Sequence, residues 1–454
     1  MNEDEVIGDM ADNPRSTLFK MAIPSFFSLG CLLLNTFLDS FWVSGLGNIE
    51  VSAIGITSPL FYILTTVGMA LGTAVNVTLS NAMAANDVEE SNAIVKNASL
   101  IIIILSILIP IIVLPLLTPI LHFMNAGVTF NACVDYVFIL ILFIGVFLIS
   151  DISPFFLRLQ GYIKIPVYIT IFTSVFNMFL NPIFIYKLNL GIRGASLATV
   201  ISALISTLLL ISFLYIKRTK YVSFKGFRFD NHDFSTIIHL LRLAIPVLFQ
   251  SMLSLVFSMV LNKFFLYEGL ISITAYSFSN RLLAFVTIPY TAFSPAMVSV
   301  IGFLVGSGRY DEIIPNFKYA LLITEIFTIV PCIMLFLGSD FLSTVLYQTK
   351  DVLVVNQISL SIKFLSILNV LQASCVLVDS MFLSIKKPEK SFILIFIGVI
   401  LEIIVIAYME YSLHISNCVY YVLIGGAILQ FIIYTQIFKR DFKKFLKDQT
   451  VDNI

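Results

Sequence analysis

The chain has 454 residues, of which 59% are hydrophobic and 12% are charged, and its formal net charge is zero. A soluble domain carries about 25% charged residues, so this composition excludes an ordinary soluble fold. The balanced charge gives no reason to expect nucleic acid as a partner. We therefore expect a protein that lies largely in lipid and has no nucleic-acid partner.

Long apolar runs recur along the whole chain, bounded by charged residues, Gly, Asn or Pro. A helix needs about 20 apolar residues to cross a bilayer. The pattern predicts an all-α membrane protein with twelve transmembrane helices near 19–43, 49–82, 95–122, 130–158, 164–187, 192–216, 240–266, 271–304, 316–342, 354–383, 389–410 and 416–438.

One long polar segment divides these helices into two sets of six. It carries five Lys and Arg residues between 217 and 228. We predict an N-terminal tail at 1–18, an N-lobe at 19–216, a linker at 217–239, a C-lobe at 240–438 and a C-terminal tail at 439–454.

Positive charge in the connections predicts the orientation, since cytoplasmic loops of membrane proteins are enriched in Lys and Arg. Most Lys and Arg residues of the connections lie on the side of the membrane where both chain termini are predicted. The opposite side holds only Lys187, Arg193, Lys263 and Lys350. We expect a multi-pass cell-membrane protein with both termini and the linker in the cytoplasm.

The two halves also resemble each other. Ala22-Ile-Pro24 recurs as Ala244-Ile-Pro246, and Gly47 recurs as Gly269 at the same offset of 222 residues. Farther along, Asp151 matches Asp379 at an offset of 228, which indicates an insertion of six residues. Six helices per copy predict two parallel repeats related by a pseudo-twofold axis along the membrane normal, a plan found in transporters.

Carboxylates inside the first half mark a candidate ion site. Asp39 lies in the first helix and Asp151 in the fourth, while no Lys or Arg lies in the middle of the six spans. An unpaired intramembrane carboxylate holds a proton or binds a cation. The alternative for Asp39 is an ordinary helix-end acid in water.

Neutral polar side chains favour the ion-site interpretation. Asn177 and Asn181 lie one turn apart on the same face of the fifth helix, and Thr199 lies in the sixth. Their oxygens suit sodium as well as a proton relay. The sequence therefore predicts a coupling-ion cluster of Asp39, Asn177, Asn181 and Thr199, which could hold Na⁺, with Asp151 as a further candidate member.

Intramembrane charges of the second half are balanced. Arg281, Glu325, Lys363 and Glu402 lie at similar depths in their helices. Two positive and two negative charges at one depth favour structural pairing over a role in substrate or ion binding. The five Cys and four His residues are scattered, so no resident metal site and no cofactor beyond the coupling H⁺ or Na⁺ is expected.

Several segments resemble the multidrug and toxic compound extrusion (MATE) family, in its DinF-like prokaryotic branch. They are Pro24, the run Asp39-Ser-Phe-Trp-Val-Ser-Gly-Leu-Gly47, the segment Asn177-Met-Phe-Leu-Asn-Pro-Ile-Phe-Ile-Tyr186, and Gly191-Ile-Arg-Gly-Ala-Ser-Leu-Ala-Thr199. The resemblance implies a non-enzymatic exporter of small amphipathic or cationic organic compounds, driven by proton or sodium entry. It also implies a monomer in a lipid membrane, with Pro24 as the hinge of the first helix.

One position departs from the family pattern, which has Asp before the proline of the fifth helix where this chain has Asn181-Pro182. The departure puts the usual coupling stoichiometry in doubt and leaves open whether Asp151 supplies the second acid instead. Two other functions are open to the sequence: a flippase for lipids or lipid-linked saccharides, and a membrane-embedded isoprenoid transferase. The first usually needs Lys or Arg in its groove, and the second needs clustered carboxylates for magnesium; the sequence favours neither.

Overall fold

A computed structural model describes residues 12–216, 221–222, 231–347 and 352–451. Of the predicted terminal tails and linker, residues 1–11, 217–220, 223–230 and 452–454 lie outside the described residues. Helices account for nearly all of the described residues. They are α1 Pro14–Ser44, α2 Asn48–Ala84, α3 Val88–Phe123, α4 Phe130–Leu142, α5 Ile144–Leu159, α6 Lys164–Pro182, α7 Ile192–Ile216, α8 Asn231–Glu268, α9 Leu270–Leu283, α10 Ile288–Gly306, α11 Ile313–Leu337, α12 Ser339–Tyr347, α13 Val352–Ser384, α14 Pro388–Tyr411 and α15 Cys418–Val451.

Eleven spans in the described part of the chain are long and apolar enough to cross a membrane, and a bent pair of helices supplies a twelfth. In lipid, only a helix can satisfy its own backbone hydrogen bonds segment by segment, which is why the apolar runs become helices. Many large apolar side chains are exposed; Ile107 and Ile111 of α3, for instance, are 60% and 63% exposed. This outward apolar surface fits a lipid environment.

Three predicted spans differ from the observed helices. The fourth, 130–158, bends by 53° at Phe143 between α4 and α5. The eighth, 271–304, contains a 3-10 turn at Ala284–Thr287 between α9 and α10. The ninth, 316–342, ends as α11 at Leu337, and α12 follows after Gly338. The first two breaks lie inside apolar sequence, so hydropathy could not locate them, whereas the third coincides with the polar residues Gly338, Ser339 and Asp340.

Packing groups the described residues into two compact units. One unit contains Ile23–Leu248, and the other contains Pro14–Ala22 and the residues from Phe249 onward. The first turns of α1 therefore belong to the second unit, where the Phe19 ring lies 6.3 Å from that of Phe293. The change of unit within α1 falls one residue before Pro24.

Backbone geometry supports the internal repeat. Gly47 and Gly269 precede α2 and α9 with φ values of 139° and 135°, and Asn86 and Gly308 follow α2 and α10 with φ values of 56° and 72°. Both pairs are 222 residues apart, and left-handed φ values favour Gly and Asn. The first two helices of each half thus end in the same kind of turn.

The offset of 228 is wrong in the later part of the repeat. Gly161 after α5 and Lys386 after α13 occupy the same turn position with φ values of 91° and 57°, and they are 225 residues apart. Both helices run without a break into that turn, so Asp379 corresponds to Pro154 rather than to Asp151. The second half therefore carries three additional residues at this point, not six.

Candidate functional site

A carboxylate and two amides meet between α1 and α6. The Asn181 side-chain nitrogen donates a hydrogen bond of 2.6 Å to Asp39 Oδ1 and another of 3.0 Å to Asn177 Oδ1. Asn35, one turn before Asp39 on α1, donates to Asp39 Oδ2 over 3.3 Å. The structure thus brings together three of the predicted cluster residues and adds Asn35.

Burial makes this cluster dry on its α6 side. Asn177 and Asn181 are 2% and 1% exposed, and Asp39 is half-buried. Tyr136 of α4 lies close enough to Asp39 to interact with its charge. No Lys, Arg or His in the described chain forms an ion pair with Asp39. The carboxylate therefore depends on neutral amide donors for its stabilisation.

The other two predicted members lie apart from this hydrogen-bonded core. The Thr199 hydroxyl donates to Ala195 O of its own helix over 3.0 Å. Asp151 lies on α5 beside Gly68 of α2 and forms no hydrogen bond with any described residue. Neither residue is hydrogen-bonded to Asp39, so the carboxylate–amide core consists of Asp39, Asn35, Asn177 and Asn181.

The end of α6 is irregular directly after the cluster. Pro182 is followed by a π-helical turn at Ile183–Lys187, and such turns occur often at functional sites. The Tyr186 hydroxyl donates to Trp42 O and fastens this turn to α1. A Cβ on Gly45 would lie 2.3 Å from that hydroxyl, so the glycine permits the contact.

Charges of the second half do not pair with one another, and the expectation that they do is wrong. Lys363 forms an ion pair with Asp340 of α12, with 3.3 Å between Nζ and Oδ1. Glu325 accepts a hydrogen bond of 2.5 Å from the Ser374 hydroxyl. Arg281 is exposed at the end of α9. Depth along a helix predicted the pairing, but the side chains point in different directions around their helices.

Glu402 lies in an apolar groove between α14 and α15. Its carboxylate occupies the space where a Cβ on Gly426 would be, 2.0 Å from Oε1. The groove has a volume of about 310 Å³ and is lined by Leu401, Val422 and Leu429, among others. In the described part of the second unit, Glu402 has no ion-pair partner.

Asn35 is the residue that sequence reasoning missed. Its spacing of four residues from Asp39 places it on the same face of α1, which is a signal that the sequence does contain. The described residues include no group of three or more His, Cys, Asp or Glu side chains that could hold a metal ion. Any ion held by the cluster would thus rely on one carboxylate and on amide oxygens.

The long apolar helices define a polytopic membrane protein. Comparison with known proteins gives the family. The MatE family model matches residues 24–183 and 246–409, and the chain belongs to the MatE family. Members of this family are transporters rather than enzymes.

Two curated relatives show the extent of the likeness. Multidrug and toxin extrusion protein 1 of Oryctolagus cuniculus is 24% identical over 358 residues, which cover 77% of this chain and 61% of that protein. Multidrug export protein MepA of Staphylococcus aureus strain N315 is 25% identical over 267 residues, covering 58% and 59% of the two chains. The chain thus spans about three-fifths of these relatives.

Solved structures show that the fold extends over nearly the whole chain. An outward-facing structure of a multidrug resistance MATE family transporter has a TM-score of 0.88 at 20% identity and covers 97% of this chain and 98% of its own. A MATE structure in the straight conformation gives 0.89 at 20% identity, with 97% and 99% covered. At this identity, the likeness establishes a shared fold of twelve transmembrane helices.

Proposed function

We propose that the protein is a secondary active exporter of small amphipathic or cationic organic compounds, coupled to the entry of H⁺ or Na⁺. The observation that carries this proposal is the hydrogen bond from Asn181 to Asp39, in a cluster without a cationic side chain. The names of the relatives, which describe multidrug and toxin extrusion, support the substrate class.

The chemistry of the cluster explains how it could couple. A charged Asp39 receives amide hydrogen bonds, which are strongest when the acceptor is ionised. Neutralising the carboxylate weakens these bonds and releases Asn181 from α1. Since Asn181 also donates to Asn177, its amide can turn toward α6 when Asp39 binds a proton. Ion binding would thereby change the contact between α1 and α6.

The coupling ion makes different demands on Asn181. A proton on Asp39 is compatible with the NH₂ group facing the carboxylate, as the structure has it. Sodium needs oxygen ligands, so the Asn181 amide would have to rotate by about 180° and present Oδ1. The present orientation offers no Asn181 oxygen to sodium, and a gradient experiment separates the two ions.

Pro24 would act as the hinge at which α1 bends. Proline lacks the backbone N–H and removes one helical hydrogen bond, which weakens α1 at that point. The residues on either side of Ala22–Ile23 pack in different units. Bending of α1 near Pro24 would therefore move Asp39 relative to the first turns of the helix. We further propose that the protein lies in the cell membrane with both termini cytoplasmic.

Reconstitution in proteoliposomes tests the proposal. Efflux of ethidium, a cationic amphipathic dye, would be driven separately by a pH gradient and by a sodium gradient. We expect transport with one gradient, and loss of that gradient dependence in Asp39→Asn. Asp135→Asn is the matched control, since Asp135 forms an exposed ion pair with Arg193. Full coupled efflux by Asp39→Asn would refute the role of this carboxylate.

The same liposomes address the alternative of a lipid flippase. A fluorescent lipid in the inner leaflet would become accessible to an external quencher if the protein moved lipid. We expect no acceleration over protein-free liposomes, because the first unit offers no Lys or Arg within the carboxylate–amide core to hold a phosphate. Lipid movement without dye efflux would favour the flippase.

A further inference from the structure

A second pair of carboxylates lies in the other unit, where α8 and α14 end together. Glu268 is the last residue of α8, and Glu410 is the residue before the end of α14. The Tyr267 and Tyr411 rings next to them are 4.7 Å apart. The two helix ends are therefore packed side by side, and the charges of Glu268 and Glu410 act on each other.

These carboxylates are buried without partners. Glu410 is 4% exposed, and neither oxygen of either carboxylate makes a hydrogen bond of ordinary geometry with a described residue. The Asn417 N–H lies beside Glu268 but outside that geometry. His414, in the connection after α14, is exposed and forms no ion pair with either carboxylate in the described chain. Two buried like charges without compensation are strongly unfavourable.

The helix ends contribute partial charges of both signs. A helix C-terminus carries a partial negative charge of about half a unit, and an N-terminus carries the opposite partial charge. The C-termini of α8 and α14 meet here, while α9 begins at Leu270, directly after α8, and α15 begins at Cys418. These partial charges largely offset one another, so the attraction for a cation comes from the two carboxylates.

A buried hydroxyl adds a neutral ligand. Tyr420 is 1% exposed, and its hydroxyl lies beside Ser361 without a hydrogen bond of ordinary geometry, close enough to Glu268 for the carboxylate charge to act on it. The Gln357 side chain donates a hydrogen bond of 2.7 Å to Asn417 Oδ1 and fixes the connection between α14 and α15. An ion bound by the Glu268 carboxylate would satisfy an unpaired buried phenol in its neighbourhood.

We propose that Glu268 and Glu410 bind one divalent cation, calcium in particular, with Tyr420 as a neutral oxygen ligand. One divalent ion matches the two carboxylate charges, and calcium accepts carboxylate, carbonyl and hydroxyl oxygens in irregular geometry. Water completes its shell. The ion fastens the ends of α8 and α14 together. This site lies in the unit that does not contain Asp39, so it is independent of the proposed coupling site.

The test uses the full-length purified protein after treatment with EDTA. We expect the melting temperature to rise as calcium is added, since an ion that binds only the folded state stabilises it. Terbium should bind in place of calcium and emit when the neighbouring tyrosines are excited. Glu268→Gln and Glu410→Gln should each weaken binding roughly tenfold or more, because each removes a charged ligand. Glu389→Gln, at an exposed position in the first turn of α14, is the control.

Two outcomes would overturn the proposal. One is a melting temperature that does not respond to calcium in the native sequence. The other is a response that persists unchanged in Glu268→Gln, a half-buried position where the neutral amide should be tolerated. If Glu410→Gln instead stabilises the protein in EDTA and calcium has no effect on the native chain, the two carboxylates share a proton and bind no metal.

Discussion

The Asn181 side-chain nitrogen lies 2.6 Å from Asp39 Oδ1. This hydrogen bond joins α6 to α1 through two residues that are 142 positions apart in the chain. This contact places a neutral donor where the family pattern has a second acid. A donor stabilises the ionised carboxylate, whereas a second acid would have to share a proton with it. The contact therefore determines how the site should respond to substitution.

Asn181→Asp should shift the pH dependence of ethidium efflux to higher pH. Two carboxyl groups at hydrogen-bond distance cannot both ionise readily, so the pair retains one proton over a wider pH range. We expect a shift of roughly one pH unit or more in the pH–rate profile. Asn48→Asp, at the exposed start of α2 where an acid is tolerated, should leave the profile unchanged. An unaltered profile for Asn181→Asp would contradict direct contact with Asp39.

Pro24→Ala should stabilise the protein and slow transport. Alanine restores the backbone hydrogen bond to Lys20 O, which a proline in the helix interior removes at a cost of about 3 kcal/mol in a rigid helix. The melting temperature of Pro24→Ala should rise, while its rate of efflux should fall. Pro110→Ala in the interior of α3 serves as the control and should leave efflux near that of the native protein. Normal efflux by Pro24→Ala would show that α1 does not need this weak point.

Gly47→Ala and Gly269→Ala should both destabilise the protein by similar amounts. The two residues share φ values of 139° and 135°, which side chains other than glycine rarely adopt. The expected cost is roughly 1–3 kcal/mol each, read as a fall in melting temperature. Gly55→Ala is the control: this glycine has open space around it and lies inside α2, so alanine should be neutral or stabilising. An unchanged melting temperature for Gly269→Ala would show that the backbone at Gly269 does not require glycine in the way that the matching turn at Gly47 does.

Asp340→Asn should lower stability at neutral pH but not in acid. The Ser359 hydroxyl and the Lys363 ammonium hold the pKa of Asp340, on α12 outside the membrane spans, below its ordinary value of 3.8. A lowered pKa contributes stability above the ordinary pKa, and the contribution is lost as the pH falls through the lowered value. The pair is largely exposed, so we expect less than about 1 kcal/mol. The difference in melting temperature between Asp340→Asn and the native protein should therefore shrink below about pH 4, and a constant difference would count against the ion pair.

The sequence by itself determined the class of fold and the chemistry available to it. Apolar runs of about 20 residues can only become helices in lipid, because the backbone has no other hydrogen-bond partner there. Local turn chemistry was also readable, since Gly47 and Gly269 mark the same left-handed turn in both halves. The residue types of the candidate site, one carboxylate with amides at helical spacing, follow from the sequence as well.

Only the tertiary structure decided which of these groups meet. The rotation of each helix about its axis selects Asn181 and Asn35 as partners of Asp39, leaves Asp151 beside Gly68, and pairs Lys363 with Asp340 rather than with Glu325 or Glu402. A helix that is apolar on every side carries no periodic signal for its rotation. The bend at Phe143 and the meeting of Glu268 with Glu410 likewise depend on packing between distant segments, which hydropathy along the chain does not encode.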